Sequence, residues 1–390
     1  MSSPAAPLAP LVAPDADLSR EETERYSRHL IIPGFGLTAQ QRLKNARVLV
    51  IGAGGLGSPA LLYLAAAGVG TLGIVDDDVV DLSNLQRQII HGVSNVGQSK
   101  AESAAQRIAE LNPLVTVRRH EVRLDNSNAL EIFADYDLIL DGTDNFATRY
   151  LVSDAAEILG KPYVWGSILR FDGQVSVFWA KHGPSYRDLY PDAPPPGTVP
   201  SCAEGGVLGV LCAQIGSVMV NEAIKLITGT GVSLLGRVLI FDALEMTWRE
   251  VRVRRDPEAT PVTGLIDYQA FCGVTASPTP PVPSVSVTEL EDLLRQRENG
   301  DLDFELIDVR EPGEYEIVSI EGATLMPKNS ILSGDVRVTM DRDVYVHCKA
   351  GIRSADVVEH LRAGGHSRVY NVDGGILEWV RQIEPDKPVY

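Results

Sequence analysis

The stretch from 47 to 76 leaves this chain little choice of fold. An apolar run, Arg47-Val48-Leu49-Val50-Ile51, ends in Gly52-Ala53-Gly54-Gly55-Leu56-Gly57. A helix-compatible segment over 58–67 follows, and a second apolar run over 71–75 ends on Asp76. Strand, glycine turn, helix and strand at this spacing form a βαβ unit, whose parallel strands must be covered on both faces. Further strands are expected over 115–119, 138–140, 163–165, 174–179 and 238–242. Helices are expected over 20–30, 100–111, 149–159 and 209–228, the second framed by a Ser99/Glu102 capping box. Glycines at these offsets either let backbone approach a phosphate or serve tight strand–helix packing, and Asp76 can accept from ribose hydroxyls. Alone, the pattern reads as a site for NAD or FAD.

Its surroundings point elsewhere. Asp76-Asp77-Asp78-Val79-Val80-Asp81 leads into Ser83-Asn84-Leu85-Gln86-Arg87-Gln88 and then Gly97-Gln98-Ser99-Lys100. Hydride transfer has no need for an Arg and a Lys converging on phosphates. Displacement of pyrophosphate does, because negative charge builds on the leaving group. Each cation alone reads equally well as solvated surface charge, so the set carries the inference. The run Leu138-Ile139-Leu140 ends in Asp141-Gly142-Thr143-Asp144-Asn145, where a carboxylate can hold Mg²⁺ against phosphates. The structural alternative for Asp144 is the N-cap of the helix after it.

A second chemistry lies near the C-terminus. His347-Cys348-Lys349-Ala350-Gly351-Ile352-Arg353-Ser354 follows the apolar Val344-Tyr345-Val346 and precedes a helix-like segment over 355–361. A cysteine in a loop closing on a helix N-terminus has backbone N–H groups aimed at its sulfur. That arrangement lowers a thiol pKa from its usual ~8.5 and stabilises a bound anion. A lone cysteine on a core strand is otherwise a small hydrophobe. Four residues separate Cys348 from Arg353, one fewer than the Cys-x5-Arg loop that seats a phosphate, and the tighter ring suits a terminal sulfur atom. Asp308-Val309-Arg310-Glu311, after a strand over 304–307, and Gly374-Gly375-Ile376-Leu377-Glu378-Trp379 accompany it. Together these segments resemble a rhodanese sulfurtransferase domain.

Between the two chemistries lies Val274-Thr275-Ala276-Ser277-Pro278-Thr279-Pro280-Pro281-Val282-Pro283, whose four prolines exclude a helix or a central strand. As an extended linker it reaches about 30–35 Å, at roughly 3.1 Å per residue. The expected organisation is a disordered tail over 1–18, a large domain over 19–273, a linker over 274–285 and a small α/β domain over 286–390.

From about residue 20 to 273 the chain resembles the ubiquitin-activating-enzyme-like adenylyltransferases of the ThiF/MoeB family. With a rhodanese domain appended it is similar to the MoeZ-type adenylyltransferase/sulfurtransferases. The resemblance rests on Arg25-Tyr26-Ser27-Arg28-His29, the glycine loop, Ser83 to Gln88, Gly97 to Lys100, Asp141 to Asn145 and Pro200-Ser201-Cys202-Ala203-Glu204-Gly205-Gly206-Val207. It implies a Rossmann-like α/β adenylation domain with a mixed sheet, plus a small α/β rhodanese domain. It further implies ATP contacts from Gly55, Asp76, Asp78, Ser83, Asn84, Leu85, Gln86, Arg87, Lys100 and Asn145. Mg²⁺ would sit on Asp144, and Arg28 would reach into the partner subunit's nucleotide site of a homodimer. The partner it implies is a small ubiquitin-like sulfur-carrier protein ending in Gly-Gly. That carrier would be adenylated and then thiolated by a Cys348 persulfide, stabilised by Arg353 and loaded from a sulfur donor. Cys202 matches a cysteine that forms a thioester or a disulfide in some relatives; its structural alternative is a small residue packed before a glycine-rich helix. Family members carry zinc on two C-x-x-C pairs. Here those positions read Ser185-Tyr186-Arg187-Asp188 and Thr260-Pro261-Val262-Thr263, and neither Ser nor Thr is a serviceable zinc ligand, so no zinc site is expected.

Composition bounds the rest. A net charge of −17 argues against nucleic acid or an anionic membrane as a main partner. No run of 18 or so uncharged apolar residues is present, and the Pro/Ala-rich first 18 residues lack a signal peptide's basic and apolar regions. Four scattered cysteines, 202, 212, 272 and 348, make no disulfide framework, so a cytoplasmic protein is expected. Two rival functions remain. One is activation of a modifier through a Cys202 thioester, with the rhodanese domain only docking; the other is an NAD(P)-dependent oxidoreductase.

Overall fold

The computed structural model describes residues 8–14, 17–194, 205–272 and 282–390. The chain divides into two compact units, Met1–Thr275 and Ala276–Tyr390. Cys202 and most of the proline-rich segment lie outside the described residues.

The first unit is built on an eight-stranded sheet. Its strands are β1 (Arg47–Ile51), β2 (Thr71–Val75), β3 (Thr116–His120), β4 (Leu138–Asp141), β5 (Tyr163–Leu169), β6 (Asp172–Phe178), β7 (Arg237–Asp242) and β8 (Thr247–Arg252), in the order β3-β2-β1-β4-β5-β6-β7-β8. The run from β3 to β5 is parallel, and β5 to β8 pair antiparallel. This is the mixed sheet the resemblance implied. Successive side chains of β1 serve opposite cores: Val48 and Val50 join Leu64 and Ile215 on one face, while Leu49 and Ile51 join Tyr150 and Val152 on the other. Burial on both faces explains why β1 and β4 read as unbroken apolar runs.

The glycine loop is tight for two separable reasons. Gly52 sits at φ +86°, a conformation that side chains resist. A Cβ on Gly57 would lie 1.8 Å from the Gly52 carbonyl oxygen, so helix Gly57–Ala67 packs closer to the sheet than any other residue would allow.

Three expectations change. The helix over 20–30 breaks at Tyr26 into Arg20–Arg25 and Ser27–Leu30. There the Tyr26 ring turns inward and its hydroxyl accepts from Asn112 Nδ2 at 2.9 Å. Strand β8 was not anticipated; every position in it is exposed, so it carries no alternation to read. A disordered tail over 1–18 does not hold for residues 8–14: Leu11 N–H donates to Leu226 O at 3.0 Å and Val12 is buried.

Helix Gly209–Thr228 is long and apolar enough to cross a bilayer by length and composition. It carries Glu222 and Lys225 and packs on β5, β6 and helix Gly57–Ala67, with Glu222 buried and accepting from Leu234 N–H at 2.7 Å. Those contacts are those of a core helix.

The second unit holds β9 (Ser284–Val285), β10 (Phe304–Asp308), β11 (Ala323–Leu325), β12 (Asp343–His347) and β13 (Val369–Val372). They form a separate parallel sheet in the order β11-β10-β12-β13-β9. Leu306 and Tyr345 face one core, and Ile307, Val344 and Val346 face the other.

Candidate active sites

In the first sheet β1 and β4 are neighbours, yet the chain leaves them in opposite directions across the sheet. Their carboxyl ends therefore part and leave a crevice. A cavity of about 390 Å³ fills it, lined by Gly55, Asp76, Asp78, Arg87, Lys100, Asp144 and Asn145 among others. Its size suits a small-molecule ligand. A larger hollow, about 700 Å³, lies at Arg47, Thr71 and Thr116, the first residues of three strands. The glycine loop, Asp76, Arg87 and Lys100 line the crevice at the carboxyl ends instead, which makes that crevice the candidate site.

The glycine loop is clamped at Ala53. Its N–H donates to Asp76 Oδ2 at 2.7 Å, and Asp76 Oδ1 accepts from Asp78 N–H at 2.9 Å. Asp76 thus already spends both carboxylate oxygens on backbone, and its burial raises its pKa despite those bonds. The Ala53 carbonyl meets His91 Nε2 at 3.0 Å, while Nδ1 lies 2.8 Å from Ser103 Oγ. A carbonyl can only accept, so Nε2 carries the hydrogen and Nδ1 accepts from the serine. The sequence reading missed His91, although it stands only four residues after Arg87.

Burial pushes the pKa of His91 below its ordinary value, and Lys100 pushes the same way. A histidine with a lowered folded pKa binds its proton more readily when unfolded. Its stabilising share is present above the unfolded value of about 6.5 and is lost as pH falls through the folded pKa. The thermal midpoint of the first unit should therefore drop on acidification below about pH 6.5, and drop less steeply in His91→Gln. Parallel pH profiles for the two proteins would count against this role.

Lys100 begins helix Lys100–Leu111, with Ser99 as its cap. The capping box is only half formed, because Glu102 pairs instead with Arg119. The Lys100 side chain is buried and bonds Asp78 Oδ2 at 2.9 Å, while Asp78 itself is largely exposed. A buried cation at a helix N-terminus opposes the helix dipole and costs desolvation. Stability alone does not account for it; an anion bound in the crevice would.

Asp144 is not the cap of the next helix. Asn145 is, its side chain accepting from Thr148 N–H at 2.9 Å ahead of Phe146–Ile158. Asp144 is left exposed at the crevice. The loop holding it is braced by Arg149, which the sequence reading also missed. Its guanidinium donates to the Thr143 carbonyl at 3.1 and 3.2 Å, and it too lines the crevice. Asp141 is fully buried, which raises its pKa. Its Oδ1 accepts from Thr143, and its Oδ2 has no partner among the described residues.

Other expected nucleotide contacts stand back from the cavity. Ser83, Asn84, Leu85 and Gln86 form the turn that carries Arg87. Asn84 caps that turn through Asp81 N–H, and Arg87 Nη1 donates to the Ser83 carbonyl at 3.1 Å. Arg28 is exposed on Ser27–Leu30 and does not line this cavity.

In the second unit Cys348 follows β12 and is buried, 1 % exposed. Its Sγ accepts from Gly351 N–H at 3.2 Å and from Ser354 Oγ at 3.4 Å. Gly351, at φ +90°, turns the loop into helix Ile352–Ala363. One backbone N–H and one hydroxyl thus meet the sulfur, where several N–H groups were expected. Arg353 differs more: its guanidinium forks onto Glu314 at 2.7 and 2.8 Å.

At the two stretches where the resemblance would put zinc ligands, 185–188 and 260–263, the side chains present make other contacts, and Val262 N–H donates to Glu157 Oε1 at 3.3 Å. Arg187 forks onto Asp154 at 2.8 Å through both nitrogens, Tyr268 donates to the same carboxylate at 2.7 Å, and Asp256 N–H reaches Asp188 at 2.8 Å.

Comparison with known proteins finds a family match in each unit. Residues 26–262 match the ThiF family model and 287–382 the rhodanese-like domain model. The probable adenylyltransferase/sulfurtransferase MoeZ of Mycobacterium tuberculosis is 57% identical, covering 98% of this chain and 99% of that protein. A sulfur carrier protein adenylyltransferase of Thermus thermophilus is 52% identical over 66% of this chain and 98% of its own length. Adenylyltransferase and sulfurtransferase MOCS3 of Drosophila grimshawi is 40% identical over 96% and 87%. Among solved structures, E. coli MccB shares the fold of the first unit, with a TM-score of 0.56 at 19% identity over 63% of this chain and 76% of MccB. The chain therefore belongs to the ThiF family, as an adenylyltransferase/sulfurtransferase of the MoeZ type, with the adenylating fold in its first unit and a rhodanese-like domain in its second.

Proposed function

We propose that the protein adenylates the C-terminal glycine of a ubiquitin-like sulfur-carrier protein and converts it to a thiocarboxylate with sulfur carried on Cys348. One observation carries this reading: a single chain holds both an anion-seeking crevice, marked by buried Lys100, and a buried cysteine under donors in a rhodanese-like loop. The printed name of the Thermus thermophilus relative supports the carrier, and MccB structures titled with ATP and with AMPCPP support the nucleotide.

In this reading the carrier's carboxylate attacks the α-phosphorus of ATP, giving an acyl-adenylate and pyrophosphate. Arg87 and Lys100 stabilise the charge that builds on the phosphates, and the clamped glycine loop holds them in place. Among the described residues no three His, Cys, Asp or Glu side chains gather around a metal position. Mg²⁺ needs only one or two carboxylates when phosphates complete its shell, and Asp144, free of capping duty, fits that part. The ion would supply neutralisation of phosphate charge. The terminal sulfur of a Cys348 persulfide then attacks the acyl carbon, AMP leaves, and an acyl disulfide forms. A second thiol, Cys202 in this proposal, attacks the Cys348 sulfur and frees the thiocarboxylate. The resulting disulfide needs an external thiol reductant.

A homodimer, with Arg28 completing the partner subunit's site, belongs to the same reading; exposed Ile31, Ile32 and Leu37 close to it in sequence support a covered surface there. So does a cytoplasmic location, supported by Cys272 and Cys348, which form no disulfide among the described residues. Molybdenum-cofactor and cysteine synthesis are the pathway classes it would serve.

The test pairs carrier-dependent ATP–pyrophosphate exchange with mass analysis of the carrier for one oxygen-to-sulfur exchange. Cys348→Ser should keep exchange and lose the sulfur product; Asp144→Asn should lose exchange. Thiocarboxylate formed by Cys348→Ser would favour the Cys202 thioester route. Absence of any exchange in the unaltered protein would favour the oxidoreductase. Zinc is expected at well under 0.1 per chain in protein purified without chelator, since no thiolate pair stands at 185–188 or 260–263. Elemental analysis finding one zinc per chain would overturn that.

A further inference from the structure

The Asp308–Arg310 motif and the residues around it reach the sulfur loop through a chain of contacts that the proposed reaction does not use. Arg353, the loop's cation, is joined to Glu314 by two parallel hydrogen bonds, with side chains only 13% and 11% exposed. The carboxylate is held in turn. Tyr390 Oη donates to Glu314 Oε1 at 3.0 Å and accepts from Arg310 Nη1. The same tyrosine ring lies 4.6 Å from the ammonium of Lys349, beside Cys348 in sequence. Burial alone would raise the pKa of Glu314, but bonds from Arg353 and from Glu311 N–H outweigh it and hold it low. Glu314 is therefore a carboxylate, and Arg353 meets the loop as half of a neutral pair. A pair at this distance presents a dipole, whose field falls off faster than that of a lone cation.

We propose that Glu314 is a positioning residue that masks the charge of Arg353 and, pinned by Tyr390 and Arg310, weakens the grip of the Cys348 loop on small anions. The proposal rests on the reading of Cys348 as the sulfur-bearing group. The mask makes the loop less selective for anionic donors than its arginine alone would make it.

The test compares alkylation of Cys348 by iodoacetate, an anion, and by neutral iodoacetamide, in the full-length protein at low ionic strength with peptide mass analysis. Glu314→Gln keeps size and an acceptor oxygen but removes the charge. It should raise the iodoacetate-to-iodoacetamide rate ratio by about three- to tenfold, and the gain should shrink at high salt. Its KM for thiosulfate should fall more than its kcat changes. Tyr390→Phe unpins the carboxylate while keeping the ring on Lys349, and should shift the ratio the same way by a smaller factor. A ratio that stays level or falls in Glu314→Gln, with the iodoacetamide rate preserved, overturns the mask. If Glu314→Gln does not fold, the ratio in Tyr390→Phe decides. Sulfur transfer retained by Cys348→Ser would remove the assumed role of Cys348, while the alkylation ratio would still report on Glu314.

Discussion

Replacing Lys100 with methionine should lower carrier-dependent ATP–pyrophosphate exchange by about 10²–10³-fold, the usual loss when one preorganised donor to a developing charge is removed. The fold should survive it. Lys100 is buried and its partner Asp78 is 69% exposed, so deleting the ammonium leaves a hydrated carboxylate rather than a stranded charge. Methionine fills much of the same volume and relieves both the desolvation of a cation and its conflict with the helix dipole. The thermal midpoint of the first unit should hold or rise slightly while activity collapses. Exchange within about threefold of the unaltered enzyme would show that the buried lysine does not act on the phosphates.

The second large effect runs the other way, through stability. Arg310 and Asp308 are both fully buried. All five guanidinium N–H groups of Arg310 are used: on the Asp308 carboxylate, on the carbonyls of Glu314 and Val318, and on Tyr390 Oη. His347, 3.6 Å from Asp308 and held neutral by burial, offers the aspartate no compensating charge. Arg310→Met should therefore strand a buried carboxylate and cost about 3–5 kcal/mol, lowering the melting midpoint of the second unit by more than about 10 °C. The double replacement Asp308→Leu/Arg310→Met should cost less than Arg310→Met alone, because it removes the orphaned charge as well. Calorimetry, with hydrogen-exchange protection of β10 and β12 as a local check, distinguishes these outcomes. A double variant less stable than the single one would mean that the pair's hydrogen bonds outweigh its desolvation.

The two sites were legible in the sequence to different depths. Gly52 to Gly57, Lys100 and Cys348 announce themselves because spacing along one strand–turn–helix already restricts what they can do. Asp144 and Asn145 show the limit of that reading: cap and free carboxylate differ by one residue, and only the helix's actual start separates them. His91 and Glu314 were invisible for another reason. Each acts on a segment by tertiary contact, Glu314 on an arginine 39 residues later, and no local pattern marks such a partner. The split at Tyr26 is similar, since Asn112, whose side chain bonds that tyrosine, comes 86 residues afterward.

The bond from Leu11 N–H to Leu226 O has a consequence for how the protein is made. That carbonyl belongs to the last turn of helix Gly209–Thr228, whose terminal acceptors have no partner within the helix. Residues translated first thus finish a helix translated some two hundred residues later. Until that helix has left the ribosome, Val12 lacks a socket and the helix end lacks its donor. The nascent first unit cannot complete this N-terminal contact until residue 226 is out.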